Sequence, residues 1–282
     1  MSADLVRGDL VRGDLARGAV LTGGAARRVA DGPLAGPGQR LAVVVAHPDD
    51  ETFGCGSLIA QAAAAGAEVT VVCATRGELG ERRPDPPGTH HADERPLGVV
   101  RETELCEAAA VLGVTEVVLL GHVDSGFDGA VAAEALVATD VERLAVELAE
   151  HLAVIGADVV LTLDGSDGHR DHLHVRDATL RAVQRLEPRP RLVHSCLANS
   201  LMRRWAAVMA EAQPDAAHLT IDVAELGRPD VELDVIDTAA VLGVRERAIA
   251  CHRSQASPYD ELPADLRRAF LANDHVVDAT PV

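Results

Sequence analysis

From Arg40 to Asn199 the chain alternates short unbroken apolar runs with segments whose apolar residues fall three and four apart. The runs RLAVVVA, EVTVVCAT, TEVVLLG, ADVVLTLD and RLVHSCL have no sustained polar face, so each reads as a strand buried on both sides, as in a parallel sheet. Between them GSLIAQAAAAGA, GVVRETELCEAAAVLG, AAEALVATDVERLAVELAEHLAVIG and HLHVRDATLRAVQRL read as helices, the second closed by Gly113. This alternation predicts an α/β fold, a doubly wound and mostly parallel sheet with helices on both faces. In such a fold, functional groups collect beyond the carboxyl ends of the strands.

The 282 residues suffice for one Rossmann-like domain of this kind. Aromatic residues are only 2% of the chain, so the core must be built from Ala, Val and Leu. After Asn199 the pattern weakens: HLTIDV and VELDVID read as short strands and TAAVLGVRERAIACHRSQ as a final helix. We expect a single domain over 39–282, with a C-terminal elaboration from about 200. Residues 1–38 begin with a five-residue repeat, DLVRGDLVRGDLARG, whose period suits neither helix nor strand. The Gly/Pro-rich DGPLAGPGQR follows, and the whole segment is expected to be a flexible or loosely docked extension.

The formal charge of −18 argues against nucleic acid or an anionic membrane as partner, since both require a basic surface. All 26 basic residues are Arg, a usage that fits a high-GC, actinobacterial genome. No apolar run approaches the ~18 residues of a membrane span, and the N-terminus lacks the apolar core of a secretory signal. Five scattered cysteines without CxxC spacing read as reduced thiols of a cytoplasmic protein. A small-molecule substrate is compatible with this surface, as is a homo-oligomer.

Two polar clusters stand out by position. AHPDDE leaves the first strand and DGSDGHRDHLHV leaves the fourth, so both belong at the same end of the sheet. They offer His47, Asp49, Asp50, Asp164, Asp167, His169, Asp171 and His172. Packed carboxylates repel one another and resist leaving water unless positive charge meets them. A divalent cation supplies that charge, and imidazole with carboxylate suits zinc or another first-row ion. The alternative, a set of turn residues capping helices, explains one such cluster better than two.

Here the chain resembles the zinc-dependent N-deacetylases related to N-acetylglucosaminyl-phosphatidylinositol de-N-acetylase, the PIG-L or LmbE-like family. The family's A-H-P-D-D-E is matched at Ala46–Glu51 and its H-x-D-H at His169–His172. The resemblance implies a metal-dependent amidohydrolase that removes an N-acetyl group from an amino sugar or glycoconjugate, in secondary metabolism or thiol-cofactor synthesis. It further implies His47, Asp50 and His172 as ligands of Zn2+, with Fe2+ or another divalent ion as the alternative. Asp49 is implied as general base and His169 as the group that steadies the oxyanion or protonates the leaving amine. Asp171, between two histidines, is expected to orient one of them. Weaker matches imply substrate contacts from Arg101 of RETE, which also contains Glu104, and from Asp124 of HVDSGF. CHRSQ, with His252, Ser254 and Gln255, matches H-x-S-Q and is read as structural.

The chain departs from the pattern of the family's mycothiol-pathway members in carrying Asp167 where they carry Tyr, and a carboxylate cannot donate a hydrogen bond to an oxyanion. An amidase for a larger acylated or thiol-conjugated substrate therefore stays open, as does a non-catalytic relative. GCGSLI is discounted as a dinucleotide fingerprint, because Ile59 stands at the third small position.

Overall fold

The computed structural model describes residues 27–28, 32–83, 94–212 and 226–282. Its strands are β1 (Arg27–Arg28), β2 (Arg40–Val45), β3 (Glu68–Cys73), β4 (Glu116–Leu119), β5 (Val159–Leu163), β6 (Arg191–Cys196), β7 (Asp234–Asp237) and β8 (Asn273–Asp278). The helices are α1 (Asp50–Phe53), α2 (Gly56–Ala64), α3 (Leu97–Leu112), α4 (Val141–Ile155), α5 (Arg170–Gln184), α6 (Asn199–Ala212), α7 (Leu242–Ile249) and α8 (Ala264–Leu271). One eight-stranded sheet runs β1-β7-β8-β6-β5-β2-β3-β4, and only β8 is antiparallel to its neighbours. The doubly wound, mostly parallel architecture is as the alternation predicts.

Strand periodicity explains the layers. Along β2, Leu41, Val43 and Val45 join a cluster with α2, α3 and α7 on one face, while Ala42 and Val44 join α4 and α5 on the other. Both faces are apolar, so the strand has no polar side to show. Its neighbours β3 and β5 lie on opposite sides of it. The chain order reverses there, which puts the crevice of a doubly wound sheet between β2 and β5.

Several element boundaries differ from the sequence expectation. The helix expected over 132–156 starts only at Val141, where the Asp140 carboxylate accepts from Glu142 N at 2.8 Å and Arg143 N at 3.2 Å. The expected final helix keeps only Leu242–Ile249, and residues 252–255 form a loop. Helices α6 and α8 and strand β8 are additions to the expectation. HLTIDV lies outside the described residues. Ahead of residue 38, Leu34 and Ala35 are buried in the core, and Arg27–Arg28 pairs with β7. The remainder of the expected extension, residues 1–26, lies outside the described residues.

Candidate metal and active site

β2 runs out at Val45 and delivers His47 to Asp50 into the start of α1, while β5 runs out at Leu163 and leads to α5. His169 is the N-cap of α5, and Asp171 and His172 occupy its first turn. Because β2 and β5 pair in parallel register, both segments leave the sheet side by side. His47 Nδ1 lies 3.3 Å from His172 Nε2 and 3.5 Å from Asp50 Oδ2, and His172 Nε2 lies 3.2 Å from Asp50 Oδ1. The two imidazole nitrogens thus face each other and the two oxygens of one carboxylate, Oδ2 towards His47 and Oδ1 towards His172, at separations usual between donors that share one divalent ion. Imidazole and carboxylate donors so placed are of the type that could hold a divalent ion.

Charge balance points the same way. Burial opposes a proton on His47, yet Asp124, Asp171 and Asp50 raise its pKa well above the ordinary value. Burial likewise opposes charge on His172, but Asp50 and Asp167 carry it up to about 10. Burial would raise the Asp50 carboxyl, and the two histidines instead hold it well below the ordinary range. The carboxylates thus demand positive charge at this point, which protons or a bound cation can supply.

The outer nitrogen of each ring is also engaged. His47 Nε2 lies 3.1 Å from Asp171 Oδ2 and 3.5 Å from Asp124 Oδ1. Asp171 Oδ2 also accepts from Ser125 N at 3.0 Å, while Asp124 accepts from Leu79 N at 3.1 Å and Gly126 N at 2.8 Å. His172 Nδ1 lies 2.6 Å from Asp167 Oδ2, and Asp167 Oδ1 accepts from His169 N at 3.0 Å. Such carboxylate contacts fix ring tautomer and orientation. Donors also converge as His47–His169–His172 and His47–Asp124–Asp171, the latter on the ring nitrogen of His47 that Asp171 already engages.

Asp49 has a backbone φ of 126°, a sparsely populated conformation for a residue with a side chain. Its N–H donates to Glu51 Oε2 at 2.9 Å, and its carbonyl accepts from Thr52 N at 2.9 Å and Phe53 N at 2.7 Å. Glu51, fully buried, in turn meets His252 Nε2 at 2.9 Å. The Asp49 carboxylate pairs with Arg101 Nη2 at 2.9 Å. Burial pushes that carboxyl up to about 6, against the opposing pull of Arg101. Arg101 also donates to Gly77 O at 2.9 Å and Pro48 O at 2.5 Å. A Cβ at Gly77 would stand 2.5 Å from the guanidinium carbon, so glycine is what admits the arginine.

His169 differs from the other two imidazoles. Its Nδ1 accepts from Asp171 N at 3.2 Å, which assigns the hydrogen of the neutral ring to Nε2. Burial and the neighbouring His47 and His172 bring its pKa down to about 4, so it is neutral near pH 7. It stacks on His172 with ring centres 4.7 Å apart, and Phe127 stands edge-on at 5.4 Å.

His47, Asp49, Asp50, Arg101, Asp124, His169 and His172 all line one cavity of about 1170 Å3, with Asp171 fully buried behind His47. The resemblance implies substrate contacts for Arg101 and Asp124. In the structure they are 4% and 3% exposed and bonded to protein partners. The pair that Arg101 makes with Asp49 is therefore a buried one, not a surface ion pair. Glu104 is bound by Ser254 N at 2.8 Å and Ser254 Oγ at 2.7 Å, so CHRSQ ties down the helix that carries Arg101.

Sequence reasoning passed over Glu51, Arg170 and Arg245. Arg170 donates to Gly126 O at 2.6 Å and Gly129 O at 3.1 Å, and also to the carbonyls of Ser125 and Asp128. It occupies the variable position inside H-x-D-H, so the motif gave no signal for it.

Residues 42–183 match the family described as PIG-L: GlcNAc-PI de-N-acetylase. The 1D-myo-inositol 2-acetamido-2-deoxy-alpha-D-glucopyranoside deacetylase of Mycolicibacterium gilvum is 35% identical, over 86% of this chain and 88% of that protein. The enzyme of the same name from Nakamurella multipartita is 35% identical over 90% of this chain and 88% of that protein. Among solved structures, the zinc-inhibited form of teicoplanin deacetylase Orf2 superposes with a TM-score of 0.57 at 18% identity, covering 86% of this chain and all of that one (100%). The 4-carboxy-2-hydroxymuconate hydratase GalB of Pseudomonas putida superposes at 0.53 and 16% identity, covering 86% of this chain and 97% of that one. A hydratase and a deacetylase thus share the fold, and the fold alone does not select the reaction. Among the described residues, no helix is long and apolar enough to cross a membrane.

Proposed function

We propose that this chain, which belongs to the PIG-L family of GlcNAc-PI de-N-acetylases, hydrolyses the N-acetyl amide of an amino sugar or glycoconjugate with one divalent ion, zinc, held by His47, Asp50 and His172. The observation that carries this reading is the set of donor separations of 3.2–3.5 Å among those three side chains at the mouth of the β2–β5 crevice. Curated relatives that match over most of their length act on an acetylated amino sugar joined to inositol, which supports the substrate class.

When bound, the ion supplies Lewis acidity and a water acidic enough to lose a proton near neutral pH. Asp49 takes that proton. Its strained backbone and the Arg101 pair fix where the carboxylate points, and its position next to a ligand rather than as one keeps it free to act as base. The water oxygen bonds to the amide carbon and the C–N bond breaks. The proton held by Asp49 passes to the departing nitrogen, so a free amine and acetic acid result, the latter releasing the second water proton to solvent as it ionises to acetate. His169, neutral with its hydrogen on Nε2, donates a hydrogen bond to the oxygen that gains charge in the transition state. Asp124, Asp171 and Asp167 hold the two histidine ligands in register.

The test is a screen of N-acetylated sugars with free-amine detection, with and without added zinc, beside metal analysis of wild type and His172→Ala. Loss of metal and of amine release together in the variant supports the reading. Equal metal content in both proteins refutes the ligand assignment.

A larger amide substrate is the second reading, with the same residues in the same roles. The cavity favours it: about 1170 Å3 exceeds the ~300–1,000 Å3 of ordinary small-molecule sites.

A further inference from the structure

The chain contains three Phe, one Trp and one Tyr, and every one of them lines the cavity that holds the metal-ligating cluster: Phe53, Phe127, Trp205, Tyr259 and Phe270. The two clusters that pack the faces of the sheet contain no aromatic residue. Packing of the third core cluster accounts for Tyr259 and Phe270, and it leaves the cavity-facing surfaces of Phe53, Trp205 and Phe127 to be explained.

The five split by burial. Tyr259 and Phe270 are 6% and 7% exposed and belong to the third core cluster, with Leu266 and Met209. They act as backing, with ring centres 5.7 Å apart. Phe53, Leu201 and Trp205 are only partly buried and present apolar surface to the cavity. Phe53 sits one helical turn beyond the ligand Asp50, which makes this wall continuous with the reacting end. Phe127, 45% exposed, approaches from the loop after β4 and contacts His169.

Among the described residues, the cavity-lining side chains of α6 are apolar, while Arg245, Gln255, Asn273, Asp274 and His275 also line the cavity. From α6 and the residue ahead of it the cavity receives Ala198, Leu201, Met202 and Trp205, and the indole N–H donates to Pro258 O at 3.0 Å. A polyol placed against these four side chains would lose water without gaining hydrogen bonds from them. An alkyl or aryl group would instead bury apolar area against rigid rings.

We propose that the substrate carries an apolar alkyl or aryl substituent next to its N-acetylated sugar, and that Phe53, Leu201 and Trp205 receive it. The proposal rests on the amino-sugar deacetylase reading, which fixes the amide at His47, Asp50 and His172. It names the occupant of the space that a single sugar leaves.

The experiment uses the full-length, zinc-loaded protein and three glycosides of N-acetylglucosamine: methyl, phenyl and octyl. Amine release gives kcat/KM for each, and Trp205, as the sole tryptophan, reports binding through its fluorescence. Relative to the methyl glycoside, kcat/KM should rise about 10–100-fold for phenyl and octyl, the range expected from burying one such group. Trp205→Ala and, separately, Leu201→Ala should compress that ratio, while Val154→Ala, an exposed site on α4, should leave it unchanged. Equal kcat/KM across the series with no change in Trp205 emission overturns the proposal, and the wild-type series decides this even if a variant fails to fold. Saturable quenching by the octyl glycoside without amine release from any compound supports the apolar site and removes the deacetylase reading beneath it. Release from the methyl glycoside alone leaves that reading standing and removes the apolar site.

Discussion

The two clusters that cover the faces of the sheet are built from Ala, Val, Leu, Ile and Cys, whereas the cluster beyond residue 197 adds Met, Phe, Trp and Tyr. The first region holds parallel strands in regular register and ends them in charged segments. The second is assembled from short helices, an antiparallel strand and one buried cation, Arg245. That guanidinium donates to Thr52 O, Ser57 Oγ, Phe270 O and the carboxylate of Asp274, all at 3.0–3.3 Å, and is 2% exposed. A rigid sheet suits a reaction that tolerates little misplacement, and a separately packed wall can change its fit to substrate without moving the ligands. The comparison therefore makes a division of labour testable: chemistry from the β2 and β5 ends, substrate fit from the C-terminal part.

The largest effect is expected where the first region does chemistry. Asp49→Asn keeps shape and hydrogen bonding but removes basicity, so turnover should fall about 10²–10⁴-fold with bound metal unchanged. Loss of metal in this variant would make Asp49 a ligand, and normal turnover would place the base elsewhere. His169→Ala should also retain the metal, and its loss should fall on kcat, by about 2.7–4 kcal/mol for an oxyanion donor.

Next in size is a change at the joint between the regions. Arg245→Met leaves Asp274, 5% exposed, as a buried carboxylate without its cation. Removing one partner of a buried pair costs about 3–5 kcal/mol, read here as the shift in urea unfolding free energy. If Arg245 belongs to packing and not to chemistry, metal content per folded molecule stays constant. A variant that unfolds normally but loses metal would show that the C-terminal part also sets the ligand geometry, and the division would fail.

The same contrast explains what was legible in the sequence. The strands were readable because both faces are buried, so each appears as an unbroken apolar run. His47, Asp49, Asp50, His169, Asp171 and His172 were readable because a strand end presents them in contiguous segments. Glu51 and Arg245 were harder to read, since their roles arise from partners up to 201 residues away. Arg101 and Asp124 were visible as polar residues near the site. Their burial was not, because a single charged residue on a helix or loop looks the same whether its partner is water or Asp49. Strand β8 escaped notice because NDHVVD has only two strongly apolar residues, and its ladder is satisfied by pairing with β6 and β7.

A smaller effect should appear in pH dependence. Burial raises the Asp49 carboxyl to about 6 while Arg101 opposes the rise. A base must be deprotonated to act, so kcat/KM should climb with pH as Asp49 loses its proton, and a nearby divalent cation would pull that acid limb below 6. Arg101→Gln removes a positive charge that favours the carboxylate, so the limb should move to higher pH. The activity deficit relative to wild type, about tenfold per unit of displacement below the limb, should be greatest at low pH and narrow as pH rises. A limb that stays put, or moves down, would show that Arg101 does not act on Asp49.

The smallest effect concerns the N-terminus, and it decides where that segment belongs in the comparison. We propose that residues 1–38 form an extension of the deacetylase domain, joined to it through Leu34, Ala35 and the Arg27–Arg28 pairing. Leu34 and Ala35 are 8% and 1% exposed within the core, and Arg27–Arg28 adds a short edge strand beside β7 of the C-terminal part. Nothing of that kind is expected from the five-residue repeat, whose period cannot present one apolar face to a helix or strand partner. Deleting residues 2–18 should therefore change unfolding free energy by less than about 0.5 kcal/mol, the range of surface changes, and should leave amine release intact. Deleting residues 2–36 also removes the buried Leu34 and the pairing on β7, and should cost at least the ~1.5–3 kcal/mol of one buried aliphatic side chain. If the shorter deletion already costs that much, the repeat is part of the folded domain and the extension begins nowhere in this chain. If the longer one costs nothing, the contacts of Leu34 and Ala35 are dispensable and the domain starts at the first residue of β2.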